Sequence, residues 1–194
     1  MPSPRTRRLL QDYETLTNRL AGWPRIQVSG TAGLPPEIYR FTYNIRGLYV
    51  AANGEILDRD VHELEVNLSL GYPRRAPQCR MLTPVFHPNF DDSAVCIGDF
   101  WAASEGLDDL VIRIGRMIAF QEYNIRSPLN GLAAKWAAQH ESSLPIDAGS
   151  VAPPLVERSA DNESRVADAQ GDTVESQDPW STKISIVDPE ARTP

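Results

Sequence analysis

The stretch His87-Pro88-Asn89-Phe90-Asp91-Asp92-Ser93-Ala94-Val95-Cys96 holds the residue types best suited to covalent chemistry in this 194-residue chain. It is rich in turn formers and ends on a cysteine flanked by two apolar residues, Val95 and Ile97. A thiol just past an Asn-bearing turn suits acyl transfer. The sulfur can take an acyl group from another thioester at nearly no cost in free energy, and the group stays activated. At an ordinary pKa of about 8.5 only a few per cent of a free thiol is ionised near neutrality, but that fraction is strongly nucleophilic. The competing reading of any free cysteine is a buried packing residue, its commonest fate. Cys79 and Cys96 are the only cysteines, too few for a disulfide framework and without the Cys-x-x-Cys or His spacing of a zinc site, so no metal is expected.

The segments around this stretch must position it. Leu9, Tyr13, Leu16 and Leu20 recur at alternating four- and three-residue steps, which predicts an amphipathic helix over 5–20 with the arginines on its opposite face. Gly22-Trp23-Pro24 ends it, because proline cannot continue the hydrogen-bond ladder. Period two follows: Tyr39, Phe41, Tyr43 and Ile45 alternate with polar residues, and so do Leu64, Val66, Leu68 and Leu70. Asn53-Gly54 between them predicts a tight hairpin turn, and a further strand is expected around 79–82. His62 has the apolar-face parity of its strand and reads as packed. Beyond the cysteine, Leu107, Leu110, Val111, Ile114, Met117 and Ile118 share one helical face, with Asp108 and Asp109 at the end the helix dipole favours. Ser127-Pro128 predicts a capped second helix carrying Leu129, Leu132, Ala133 and Trp136 and ending near His140.

Charge divides the chain. Residues 1–140 hold 15 acidic and 15 basic residues, while 141–194 hold 11 and 4, so the net charge of −7 lies wholly in the tail. A neutral body with an acidic tail lacks the basic footprint that phosphate backbones require, so no nucleic-acid partner is expected. No apolar run is long enough to span a bilayer and none follows Met1 as a secretory signal would, which predicts no membrane partner and a cytoplasmic location. The expected organisation is one domain over 1–140 and a disordered, Pro- and Ser-rich tail over 141–194, with Trp180–Val187 as an alternating apolar patch inside it that could add to a sheet edge or dock a partner.

The run from Tyr72-Pro73 through Pro77, Thr83-Pro84 and His87-Pro88-Asn89 to Cys96 resembles the ubiquitin-conjugating enzyme family, over roughly 5–140. The resemblance implies an α+β fold: an N-terminal helix, a four-stranded antiparallel meander, the reactive-cysteine loop, then two helices. It implies that Cys96 accepts a ubiquitin-like modifier from an activating enzyme as a thioester and passes it to an amine of a target protein, with lysine the expected acceptor. No cofactor is implied, since ATP is spent by the activating enzyme. In the family the Asn matching Asn89 stabilises the oxyanion, and losing such a donor costs about a hundred- to a thousandfold in rate. His87 and Pro88 would shape the loop. Ser127, besides its helix-cap reading, falls where the family has an Asp or Ser that acts on the incoming lysine. Arg5, Arg7 and Arg8 would meet the activating enzyme. Cys79 matches an apolar strand position.

The chain departs from the family pattern in several places. Asn89 and Cys96 are seven residues apart where the family has eight, only four residues separate Cys96 from Trp101, and Ala102-Ala103-Ser104-Glu105-Gly106 replaces the Ser-Pro-Ala loop that meets ring-type ligases. No fourth-helix pattern is present. Such divergence resembles the conjugating enzymes of bacterial ubiquitin-like systems, some of them antiviral, and implies action without a ligase. Two other readings remain: a noncatalytic module of the same fold that binds a ubiquitin-like protein or scaffolds a complex, and a cysteine hydrolase pairing Cys96 with a histidine. Retention of Cys96 with Asn89 separates catalysis from the first. The second has no motif around His62 or His140 to support it.

Overall fold

Ser3 opens the first helix, its hydroxyl accepting from Thr6 N–H at 3.0 Å with Pro4 at the position where a missing N–H costs nothing. This helix, α1, runs Pro4–Leu20. The computed structural model describes residues 1–97 and 101–154 of the chain. Four antiparallel strands follow, β1 Ile26–Ala32, β2 Ile38–Val50, β3 Ile56–Asn67 and β4 Gln78–Met81, in sheet order β1-β2-β3-β4. Then come α2, Leu107–Ile118, α3, Gly131–Gln139, and a single 3-10 turn, Glu141–Ser143. This is the expected α+β arrangement of helix, four-stranded meander and helices.

The alternation in β2 and β3 turns Tyr39, Phe41, Tyr43, Ile45, Leu64 and Val66 inward, where they meet Leu9, Leu16 and Leu20 of α1 and the apolar face of α2 in one core. Tyr43 Oη donates to Val111 O of α2 at 3.0 Å, so this buried ring also satisfies its polar tip. Arg19, at the end of α1, pairs with Asp108 and Asp109 in the first turn of α2, placing a cation against the acidic helix start. A second apolar cluster joins Leu48, Phe86, Phe120, Ala133 and Ala137 beneath α3.

Several expectations are corrected. Tyr13 is exposed and Asp12 takes its place on the buried stripe of α1, because Asp12 has partners that repay its burial. The arginines are not all on the far face, as described below. β3 ends at Asn67, so Leu70 is exposed although Leu68 is buried. The β2–β3 connection is a five-residue turn, with Ala51 N–H bonded to Glu55 O at 2.8 Å. Only Gly54 takes positive φ there, while Asn53 closes the turn by accepting Glu55 N–H through its side chain. Asn130, not Ser127, caps α3, its side chain accepting from Ala133 N–H at 3.0 Å. The helix therefore starts after Leu129, and Leu132 is exposed while Ala133, Ala134 and Ala137 face inward.

The expected boundary at 140 is also corrected. Residues 144–152 run back as a strap across the C-terminal end of α2: Asp147 N–H donates to Ala119 O at 3.2 Å, Gln121 Nε2 donates to Asp147 O and Gly149 O, and Trp23 Nε1 donates to Val151 O at 2.9 Å. Val151 enters the core at Gly115, where any added Cβ would lie 2.8 Å from Val151 Cγ1. The strap thus packs Val151 and Ala152 on the main core and Leu144 and Ile146 on the second cluster, with hydrogen bonds to its backbone. The Trp180–Val187 patch and the rest of 155–194 lie outside the described residues. Val151→Ala is expected to lower the unfolding free energy by roughly 1–3 kcal/mol, seen as a lower urea midpoint at unchanged slope.

Candidate active site

The reactive loop is an extension of the sheet edge. Val95 N–H donates to Cys79 O of β4 at 3.0 Å, Phe90 and Val95 face each other across an antiparallel bridge, and Cys96 N–H donates to Asn89 O at 2.8 Å. Asp91 closes the small turn between them, its carboxylate accepting from Ser93 N–H, Ser93 Oγ and Ala94 N–H at 2.7–2.8 Å. Those donors, the Ser93 hydroxyl foremost, hold its pKa below the usual carboxylate range. Phe90 and Val95 are buried beneath, so Cys96 is half-buried while its neighbours anchor it.

Asn89 docks this loop onto the segment after α2. It is 3% exposed, its Oδ1 accepts from Asn124 N–H at 2.8 Å, and its Nδ2 donates to Asn124 O at 3.2 Å. Pro88 O accepts from Asn130 N–H at 3.0 Å, which ties the same loop to the cap of α3. Phe120 ends α2 at φ 56°, a left-handed conformation that a bulky residue adopts only when its surroundings enforce it. His87, Tyr123 and Trp136 supply that enforcement by packing on its ring. The kinked backbone carries Glu122, Tyr123 and Asn124 to the thiol. A cavity of about 210 Å³ is lined by Cys96, Asn89, Ile97, Arg113, Met117, Glu122, Tyr123 and Asn124.

His87 is fully buried between Phe90 and Phe120. Its Nδ1 accepts Asn89 N–H at 3.1 Å, which puts the ring proton on Nε2, beside the Glu122 backbone. Burial pushes its pKa down to about 3, with the Glu122 backbone offsetting part of the shift. A ring that stays neutral and has its acceptor nitrogen occupied is a strut of the loop. His62 is bonded to Arg59 O at 2.9 Å and His140 is stacked on Trp136. No histidine is among the described residues lining the thiol cavity, so the arrangement offers no Cys-His pair. Cys79 is buried on the inner face of β4, and burial pushes its thiol up to about 12 against the charge of Arg113.

The other expected site residues are dispersed. Ser127 is exposed, in the bend before α3, and is not among the residues lining the cavity. Arg5 pairs with Glu37 at 2.6 Å and donates to Leu68 O and Ser69 O. Arg8 pairs with the buried Asp12, donates to Tyr72 Oη and holds Ala103 O and Glu105 O. Of the three arginines only Arg7 is exposed, with one weak bond to Pro2 O. Sequence reasoning missed Asn124, which contributes through its backbone and leaves no signature. It also missed Arg113, which did leave one: a cation inside the apolar run of α2.

With this geometry in view, comparison with known proteins is decisive. The ubiquitin-conjugating enzyme family model matches residues 11–144. The chain belongs to that family. Among solved structures, S. cerevisiae Ubc12 is 22% identical with a TM-score of 0.54, covering 72% of this chain and 74% of its own. A structure titled "Novel Ubiquitin-Conjugating Enzyme" is 18% identical with a TM-score of 0.51, covering 70% and 86%. At these identities the likeness is one of fold.

Two outcomes follow from the site geometry. Asn89→Ala leaves the Asn124 N–H and carbonyl without their partner and is expected to cost roughly 1–2 kcal/mol of stability, measurable by urea unfolding. In the unfolded chain His62 and His87 titrate near 6.5, and in the fold near 4 and 3. The unfolded state therefore binds the extra protons, so stability is complete above about pH 6.5 and falls as pH drops toward 4 and then 3. Unfolding free energies from urea titrations at about pH 7.5 and about pH 5 should differ by roughly 2 kcal/mol per histidine, and a flat profile would contradict the assigned burial.

Proposed function

We propose that this protein is a ubiquitin-like protein transferase that carries the modifier as a thioester on Cys96 and delivers it to an amine of a target protein, most simply a lysine. The observation that supports this most is the contrast between its two thiols: one is half-buried at a cavity built from the reactive loop and the kink after α2, the other is sealed in the sheet with a raised pKa. The same contrast favours catalysis over a purely binding module, which needs no thiol at this place.

The chemistry runs in two steps. The Cys96 thiolate attacks the modifier's carbonyl on the activating enzyme and expels that enzyme's thiolate. The acceptor amine then attacks the new thioester, the carbon–nitrogen bond forms, the carbon–sulfur bond breaks, and the Cys96 thiolate is released while the amine's surplus proton passes to water. Asn89 supports the second step first by holding the loop, and its second Nδ2 proton, without a partner among the described residues, would serve the oxyanion. Ser127 would have to move to meet an incoming lysine. The activating enzyme would meet the exposed side of α1, where Arg7 is the available arginine of the expected three. The shortened loop, with a strap after α3 and no fourth helix among the described residues, supports a place in a bacterial ubiquitin-like conjugation system serving antiviral defence and independent of a ligase, which would act in the cytoplasm.

Incubation with a cognate activating enzyme, ATP and modifier, followed by nonreducing electrophoresis, tests this reading. A thiol-sensitive adduct is expected in wild type and in Cys79→Ser, and none in Cys96→Ala. An adduct that follows Cys79, or none when the activating enzyme is itself charged, would overturn it.

A further inference from the structure

Helix α2 is buried on nearly every side: Leu110, Val111, Ile112, Ile114 and Met117 are all in the core, and Arg113 interrupts them. A half-buried guanidinium on a helix this apolar is costly unless its charge is used. The other cation of the helix, Arg116, is exposed and needs no such account. Arg113 Nη2 pairs with Glu105 Oε1 at 2.9 Å, with the two side chains 27% and 19% exposed. Its Nε is buried without a partner among the described residues. One carboxylate contact engages a minority of the five N–H donors of an arginine. The residue lines the cavity it shares with Cys96 and Asn89, and at about 210 Å³ that cavity is only a few atoms across.

From this placement we infer that Arg113 is a catalytic residue, its guanidinium meeting the carbonyl oxygen of an acyl group carried on Cys96. The inference rests on the transferase reading above. An acyl group on Sγ brings its carbonyl oxygen into this cavity. When a nucleophile's nitrogen bonds to the carbonyl carbon, the carbonyl π pair moves onto that oxygen, and collapse then breaks the carbon–sulfur bond with the pair leaving on Sγ. The oxygen carries a full negative charge in between. Asn89 is a limited donor for it, because its amide is engaged in both directions with the Asn124 backbone. A cation held beside a partly desolvated site stabilises such a charge without having to reorganise at the moment of reaction. Glu105 fixes the guanidinium's direction, and Arg8 fixes Glu105 through its carbonyl.

The test uses the full chain with glycylglycine benzyl thioester as acyl donor, and intact mass spectrometry to follow acylation of Cys96 and its release by hydroxylamine, with Cys96→Ala as control. Arg113→Met, which keeps the length of the stem, is expected to slow release by about tenfold to a hundredfold, with Arg113→Lys recovering part of the loss. Alkylation of Cys96 by iodoacetamide should change by less than about twofold, since that displacement creates no oxyanion. If Arg113→Met fails to fold, Arg113→Gln reads the same loss of charge while retaining a bond to Glu105. Unchanged release overturns the assignment, and so do parallel losses in release and alkylation, which would place the effect on the thiol or the fold. A wild type that is not acylated on Cys96 contradicts the transferase reading itself, and the inference falls with it.

Discussion

The site depends on one docking interaction, the side chain of Asn89 against the backbone of Asn124. It joins two segments 35 residues apart, the loop that bears Cys96 and the kink that bears Glu122 and Tyr123, with one hydrogen bond in each direction. Because the Asn89 amide is buried, leaving either of its groups unpaired costs more than the bond itself contributes. His87 works beneath it as a neutral spacer whose Nδ1 orients the Asn89 backbone. The thiol is thus placed by hydrogen bonds to the backbone of its own loop and of the kink.

A second network holds the other flank. Arg8, Asp12 and Tyr72 form a connected triad under α1: Arg8 pairs with Asp12, and Tyr72 Oη donates to Asp12 at 2.5 Å. Trp101 packs on Tyr72 and donates to Pro73 O at 2.6 Å, so the chain returning from the reactive loop is clamped to the Tyr-Pro turn that leads into β4. Arg8 also grips the carbonyls of residues 103 and 105 ahead of α2. An arginine that reads as a docking residue therefore organises the interior. Each partner of the triad satisfies another, which is the condition under which buried charge stabilises a fold.

Elements with a strong period were legible in sequence: α1, the two long strands and α2 came from apolar spacing alone, since burial on one face imposes that spacing. β1 was not, because a bulge between Val28 and Gly30 breaks its alternation. The start of α3 was misplaced because Ser127-Pro128 and Asn130-Gly131 both carry capping chemistry, and tertiary bonding of Asn130 to Pro88 O selects the second. The strap was read as tail because its order comes from unevenly spaced apolar residues, Leu144, Ile146, Val151 and Ala152, and from hydrogen bonds and the Arg25–Asp147 pair, none of which leaves a periodic signal. At the candidate site, motif spacing singled out Cys96 and Asn89, and the fold brings both to one cavity. It could not tell that Arg5 and Arg8 spend their charge inside the molecule, since a cationic cluster reads the same whether it faces a partner or a buried carboxylate.

The central claim is that the half-buried thiol is the acyl carrier and the sealed one is structural. Peptide mapping of the charged wild-type protein, digested in acid to preserve thioesters, tests it most directly. The account predicts the modifier's C-terminal acyl group on the peptide containing Cys96, released by thiol and leaving Cys79 unmodified. Finding the group on Cys79, or in a thiol-resistant bond to Lys135 or Lys183 with Cys96 free throughout the time course, would contradict it.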